Sequence, residues 1–316
     1  MEKRKEELNT AVLFLIFNRP DTTKQVFETI RQARPPRLYI ASDGHRNDRE
    51  GELLKVQEAR AVVALVDWPC EVRTLYREEN LGCKYAVSGA IDWFFENEEQ
   101  GIILEDDCLP SLSFFSFCED LLERYKVDQR VWQISGSLFY SNAISETKGD
   151  YFFSRYGPIW GWASWRRAWK NYDVELSDWA VMSQQSYLNS VYLDDVERAY
   201  KLRLGDRLFR DEINTWDYQW GYCKNYNGAL TILPKKNLIV NIGFREDATH
   251  TTTDNHLIPT VSYDLDEKLS HPDCIFEDIN YQNEFSRKSY RSESNKYMNR
   301  LSSFCGRLLR IIRVRN

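Results

Sequence analysis

The chain has 316 residues, with 42 Lys and Arg against 48 Asp and Glu for a net charge of −6, and 14% of its residues are aromatic. No global positive field recruits nucleic acid to such a chain, which makes nucleic acid a poor default partner, and none is expected. The length allows roughly two domains, or one elaborated α/β domain with a substantial core.

In chain order, TAVLFLIF reads as a buried strand, and after NRP a helix capped by Asp21 places Val26, Phe27 and Ile30 at helical spacing. RLYIAS is a second strand running into DGHRND, and EGELLKVQEARAVVALV is a helix. EVRTLY is a third strand, closed by the turn REENLG. The helix KYAVSGAIDWFF precedes the strand GIILEDD; SLSFFSFCEDLLERY is again helical, and VWQISG is a strand. Strands alternating with helices of this length predict an α/β fold, a doubly wound and mostly parallel sheet with helices on both faces. Ligands of such sheets bind beyond the carboxyl ends of the strands, so Asn18 with Arg19, Asp43 with Gly44, Arg77 through Asn80, and Glu105 to Asp107 should gather on one rim.

GIILEDDCLP poses the sharpest question, because three carboxylates follow one another where an apolar strand surfaces. Like charges so close repel, and a hard cation with oxygen ligands is the usual remedy. Mg²⁺ or Mn²⁺ commonly shares its shell with substrate phosphates, which points to a nucleotide diphosphate. The plain alternative is a solvated acidic loop or acids capping the helix near Ser111. Adjacent residues of one strand point to opposite faces, so the cluster does not itself build a glycosidase pair. FNRPDTTK after the first strand is neither a P-loop nor a dinucleotide fingerprint. G-x-S-x-G and H-E-x-x-H are both absent.

NRP at the first strand end, SDG at the second, ENLG before a helix, and LEDDCLPSLSFFSF followed by ISG occur in an order that resembles the nucleotide-sugar half of GT-A glycosyltransferases. The likeness is to the N-acetylglucosaminyltransferase I type and its bacterial relatives, whose D-x-D motif takes the form EDD. It covers residues 10–140 and continues more loosely to about 255 through TWDYQW and NIGFREDATHT. The resemblance implies a GT-A fold and a metal-dependent transferase moving a sugar from a nucleotide-diphosphate donor, UDP above all, to a glycan or lipid-linked glycan with inversion. It implies Asn18 and Arg19 at the nucleoside or diphosphate, Asp43 on the uracil imide with Gly44 beside it, and Asn80, Gly82 and Lys84 at ribose and phosphates. Glu105 and Asp106 would complete the donor site, with Asp107 as direct ligand of Mn²⁺ or Mg²⁺. Rivals are a sugar nucleotidyltransferase, which normally needs a Gly-rich loop after the first strand, and a non-catalytic, membrane-associated glycan-binding protein.

Beyond residue 136 aromatics become dense. An inverting transferase needs a base for the acceptor hydroxyl, and Asp217 in TWDYQW, flanked by Trp216 and Trp220, is the candidate, against the alternative of a partly exposed helix acid. His250 in DATHT is either a further metal ligand or a structural loop histidine. Trp160, Trp162 and Trp216 are candidates for the acceptor groove, with Arg166 and Arg167 available to phosphate, although Trp160, Trp162, Trp165 and Trp169 suit a core equally well. Helical patterns cover about 184–204 and 211–226. The divisions expected are a donor half over 8–140, an acceptor half over 141–262 of the same domain, and a polar extension over 263–316.

In the final RLSSFCGRLLRIIRVRN, Leu301, Phe304, Leu308 and Ile312 share one helical face and Arg307, Arg310 and Arg313 another, which suits an anionic membrane surface or a partner subunit. Seven scattered cysteines (Cys70, Cys83, Cys108, Cys118, Cys223, Cys274, Cys305) with no C-x-x-C pair read as reduced thiols of a cytosolic protein. MEKRKEELNT lacks a signal-peptide core, and no run reaches the ~18 apolar residues of a membrane span. The expected location is the cytoplasm, with the tail able to hold the chain on the inner face of the cell membrane.

Overall fold

Alternation along the strands decides the layering. In β1 (Val12–Ile16), Val12, Phe14 and Ile16 enter one apolar cluster while Leu13 and Leu15 enter another, so both faces are covered and the text is continuously apolar. The computed structural model describes residues 8–243, 259–266 and 268–290. From β1 the chain runs through α1 (Pro20–Ala33), β2 (Arg37–Ser42), α2 (Glu52–Arg60), β3 (Glu71–Tyr76), α3 (Gly82–Asn97), β4 (Gln100–Glu105), β5 (Cys108–Pro110) and α4 (Ser113–Arg124). It continues with β6 (Val131–Ser135), β7 (Tyr151–Ser154), β8 (Trp162–Trp165), α5 (Arg166–Trp169), α6 (Trp179–Met182) and α7 (Gln185–Val191). Then follow α8 (Asp195–Phe209), α9 (Asp217–Tyr226), β9 (Leu230–Pro234) and β10 (Ile239–Asn241), and residues 279–290 form a further helix.

The main sheet has eight strands in the order β3-β2-β1-β4-β8-β6-β9-β7, and β5 pairs with β10 in a separate two-stranded ladder. β3, β2, β1 and β4 are mutually parallel, β8 opposes β4 and β6, β9 parallels β6, and β7 opposes β9. The expected class is therefore what the structure shows: a mostly parallel α/β sheet. α1 and α4 cover one face, through residues such as Phe27 and Phe115, while α3 and α9 cover the other, through residues such as Phe94 and Trp220.

Several local expectations are corrected. α1 starts at Pro20 with Arg19 at the cap position, because proline's fixed φ suits the first helical residue; Asp21 lies in the first turn. The helix expected through residue 66 tightens into a 3₁₀ turn over Ala61–Leu65, where branched residues crowd. Residues 211–216 stay outside α9, and Asp211 takes a left-handed conformation at φ 57°. Neither β5 nor the helix at 279–290 was expected.

Cys70, Cys83, Cys108, Cys118, Cys223 and Cys274 are free thiols. No helix among the described residues is long and apolar enough to cross a membrane. His250 and the basic stretch at 297–316 lie outside the described residues.

Candidate active site

The carboxyl ends of β1, β2 and β4 open into a cleft of about 1470 Å³, closed on its far side by α8 and the start of α9. Asn18, Arg19, Asp43, Arg77, Asn80, Gly82 and Glu105 to Asp107 line it, so the rim inferred from strand ends does collect in space. Trp160, Trp216 and Asp217 line the same cleft. The Asp217 carboxylate contacts the Thr215 hydroxyl, which orients it at the first position of α9.

The acidic cluster is built around a guanidinium. Arg19 Nη1 donates to Asp107 Oδ2 at 2.7 Å and lies 3.6 Å from Asp106 Oδ1, while the Phe17 amide donates to Asp106 Oδ2 at 3.1 Å. Burial first, and then Asp107, raises the Asp106 carboxyl above the ordinary range. Glu105 is driven well above that range by burial, followed by Asp107, Asp106 and Asp217. Its Oε1 is buried without a hydrogen-bond partner. The β5–β10 ladder fixes the next turn, since the Ile242 amide donates to the Asp107 carbonyl at 2.8 Å and a side chain on Gly243 would strike the Asp107 carboxylate.

Around β2 the carboxylates organise backbone. Asp43 accepts from the amides of Gly44, Leu81 and Gly82 at 3.0–3.1 Å, which ties the strand end to the start of α3. Burial outweighs these three donors and leaves its carboxyl above the ordinary value. Gly44 is outside the cleft lining. Its missing side chain admits the backbone of Glu78 and Glu79, and its carbonyl accepts from Asn80 Nδ2 at 2.7 Å. Asn18 Nδ2 donates to Glu52 Oε1 at 2.8 Å. Burial opposes ionisation of Glu52, but Arg46 and Asn18 outweigh it and bring its pKa to about 2.

Three expectations are overturned by packing. Lys84 is buried away from the cleft, where its Nζ donates to Glu175 and Asp211 at 3.0 Å each, so it braces α3 and does not face a phosphate. Trp162 has no exposed surface and stacks on Trp216 at 5.7 Å and 21°, which removes it from any acceptor groove. Trp216, although at the cleft edge, is itself 2% exposed, and Trp220 is fully buried against Trp132 at 5.8 Å and 23°, so neither presents a face to sugar. Trp165 and Trp169 are core as well, while Trp160 is half-buried in the lining and packs edge-on against Phe139. Arg166 and Arg167 spend their guanidinium groups on carbonyls of Phe95, Glu98, Tyr125 and Lys126.

Residues not singled out from sequence complete the lining. Arg203 and Arg207 from α8, Arg210 just beyond its end, and Asn214 and Tyr218 also line the cleft. Their signal was present as helical spacing, but the pattern does not reveal which face meets a cleft. Asn214 Oδ1 accepts from the Lys84 amide at 2.7 Å, which pins this segment to the first turn of α3.

For a divalent cation, the donor set has suitable chemistry: hard carboxylate oxygens from Asp106 and Asp107 beside the orphaned Glu105 oxygen. Among the described residues no three His, Cys, Asp or Glu side chains converge as a metal cage. In this structure the positive charge beside Asp106 and Asp107 is the Arg19 guanidinium.

No protein-family model and no curated protein matches the chain. Among solved structures it is similar to the galactosyltransferase LgtC in complex with donor and acceptor sugar analogs, over 70% of this chain and 72% of that one, at 11% identity and a TM-score of 0.36. It is also similar to UDP-glucose pyrophosphorylase complexed with UDP-glucose, over 52% and 78% of the two chains, at 11% identity and a TM-score of 0.32. HddC from Yersinia pseudotuberculosis matches over 52% and 80%, at 13% identity and a TM-score of 0.30. Likeness at this level carries no conclusion about chemistry.

Proposed function

We propose that the chain is a glycosyltransferase that uses a nucleotide-diphosphate sugar, UDP-linked, and passes the sugar to a hydroxyl of a glycan or lipid-linked glycan. The observation that supports this reading is the gathering of Arg19, Asp43, Asn80 and Glu105 to Asp107 at parallel strand ends in one cleft with Asp217.

Asn80 and Asp43 would border the nucleoside end. Asp43 is proposed to meet the imide N–H by sharing carboxylate oxygens that already accept from the amides of Gly44, Leu81 and Gly82. Arg19 sits at the charge-bearing end, where its guanidinium can pass from Asp107 to a phosphate oxygen. Asp106 and Asp107 would hold Mn²⁺ or Mg²⁺ together with the diphosphate, and His250 is proposed as a further ligand. When bound, the ion neutralises charge on the leaving diphosphate.

Asp217 takes the proton of the acceptor hydroxyl as its oxygen bonds to the anomeric carbon and the bond from that carbon to the diphosphate breaks. The electron pair leaves with the diphosphate. Thr215 holds the carboxylate in place for that transfer. Trp160 is the one proposed acceptor tryptophan that retains exposed surface in the cleft lining. Attachment of residues 297–316 to anionic lipid is proposed alongside, on the strength of their basic amphipathic pattern.

A thermal-shift series with UDP, GDP, CDP and ADP, each with and without Mn²⁺, tests the reading, since a ligand that binds only the native state raises the melting temperature. A UDP shift enlarged by Mn²⁺ is expected. Indifference to every nucleotide would sink the proposal and favour a glycan-binding module.

A further inference from the structure

We infer that Asn214 is a positioning residue, one that sets the Asp217 carboxylate against the bound donor by tying the segment ahead of α9 to the first turn of α3. The inference rests on the sugar-transfer reading of the cleft and adds to it how the base is held.

A helix start leaves its first amides without partners inside the helix. At α3 the cap residue Leu81 supplies no side-chain acceptor, so the partners come from elsewhere in the chain. Asp43 accepts from the Leu81 and Gly82 amides at 3.0–3.1 Å, and Asn214 Oδ1 accepts from the Lys84 amide at 2.7 Å across 130 residues of sequence. One helix end is thus gripped both by the residue proposed for the nucleoside and by a residue three positions before the proposed base.

The grip is close, and it is made twice. A side chain on Gly82, whose φ is +74°, would come within 2.4 Å of Asn214 Nδ2, so glycine is what lets the asparagine reach the helix end. Lys84 Nζ, on a side chain 2% exposed, donates to Asp211 Oδ1 at 3.0 Å, at the other end of the same segment. Asp211 holds φ 57°, a conformation that a non-glycine residue keeps where its surroundings fix it. Residues 211–216 lie outside helix and strand, so tertiary contacts such as these set their course.

From there to the base the chain is short. Three residues span at most about 11 Å, so a displacement of Asn214 reaches Asp217 with little slack. Trp216, stacked on Trp162, anchors one side of Thr215, and Asn214 anchors the other. Thr215 in turn contacts the Asp217 carboxylate. Asn214 is an exposed residue of the cleft lining, so truncating it empties no core site.

The test uses the full chain with Mn²⁺, with UDP affinity measured by calorimetry and turnover as UDP released from UDP-glucose, UDP-galactose and UDP-N-acetylglucosamine, water being the acceptor. Asn214→Ala should keep UDP affinity and donor KM within about threefold and lower kcat about tenfold or more, since misplacing a catalytic group by about 1 Å can cost about 100-fold. Asn214→Asp should restore most of the rate, because its carboxylate can accept from the Lys84 amide in the same place. In an Asp217→Asn background Asn214→Ala should cost less than about threefold more, as it acts through a base already removed. A kcat for Asn214→Ala within about threefold of wild type overturns the inference, as do losses that multiply in the double variant. So does a UDP affinity that falls as far as kcat, which would put Asn214 on the donor.

Hydrogen exchange on the wild type needs neither a variant nor the right sugar. Saturating UDP should slow exchange over 211–217 as well as over 80–84, because the nucleotide orders the helix end that Asn214 holds; protection confined to 80–84 overturns the inference. That result decides alone if Asn214→Ala fails to fold, or if UDP binds and none of the three donors turns over. A wild type that neither binds UDP nor releases it removes the sugar-transfer reading and this inference with it, whereas turnover insensitive to Asn214 removes the inference only.

Discussion

Around β1 to β4 charged side chains collect at strand ends and face a cleft, whereas around β8 and α9 the dense aromatics turn inward. Trp162, Trp169, Trp216 and Trp220 contact one another at 5.2–6.3 Å between ring centroids, and each is at most 3% exposed. The rim by contrast keeps a buried carboxyl oxygen without a partner and three acids around one arginine. The first region gives up stability; the second supplies it. Beside this cleft the tryptophan-rich segment is mostly foundation.

Substitutions on the two sides should behave oppositely. Asp217→Asn keeps shape but cannot serve as a base at neutral pH, so kcat should fall by about 10² to 10⁴ with UDP affinity and melting temperature unchanged. Steady-state kinetics on any accepted donor and acceptor pair checks this, and a kcat within about threefold of wild type would move the base elsewhere in the cleft, to Glu212. Trp220→Ala should do the reverse. It empties a fully buried site and removes the indole donor to Gln133, whose Oε1 still accepts from Lys224, at a cost of about 3–5 kcal/mol in denaturant unfolding. A loss below about 1 kcal/mol would show the tryptophan cluster to be a pocket and not a core.

How far each region was legible in sequence follows the same divide. β1, β2, β3 and β4 could be read because apolar runs end at turn or charged residues, and the rule that ligands sit beyond parallel strand ends gathered the rim correctly. β5 could not, since Cys108–Pro110 is three residues long and exists through pairing with the distant β10. Lys84 stood at a plausible phosphate position, yet partners 91 and 127 residues away claimed it. Trp162 was ambiguous because β8 is covered on both faces, so alternation no longer separates inside from outside. Arg203 and Arg207 lay in a segment whose helical pattern was visible, but which of its faces meets the cleft is decided by tertiary packing.

A smaller effect tests whether the rim truly gives up stability. Glu105 has its pKa raised, so the folded chain holds a proton that the unfolded chain releases above the ordinary carboxylate value near ~4. Stability should then fall as pH rises from there, because the native state binds more protons in that window. Glu105→Gln should flatten this decline and raise the melting temperature by a few degrees at pH 8, on the order of 1 kcal/mol, with no gain at pH 4. Parallel pH profiles that differ only by a constant would refute the strained-rim account.

If the β4 strand-end acids bind a nucleoside diphosphate together with a metal ion, calorimetric titration of UDP with Mn²⁺ into the wild type and Asp107→Ala will register it. Asp107 lies on the rim and not in the apolar core, so the variant should unfold as cooperatively as the wild type. UDP should bind the wild type more tightly with Mn²⁺ than without, and Asp107→Ala should lose this metal-dependent gain. Equal Mn²⁺-dependent affinity in the two proteins would contradict it.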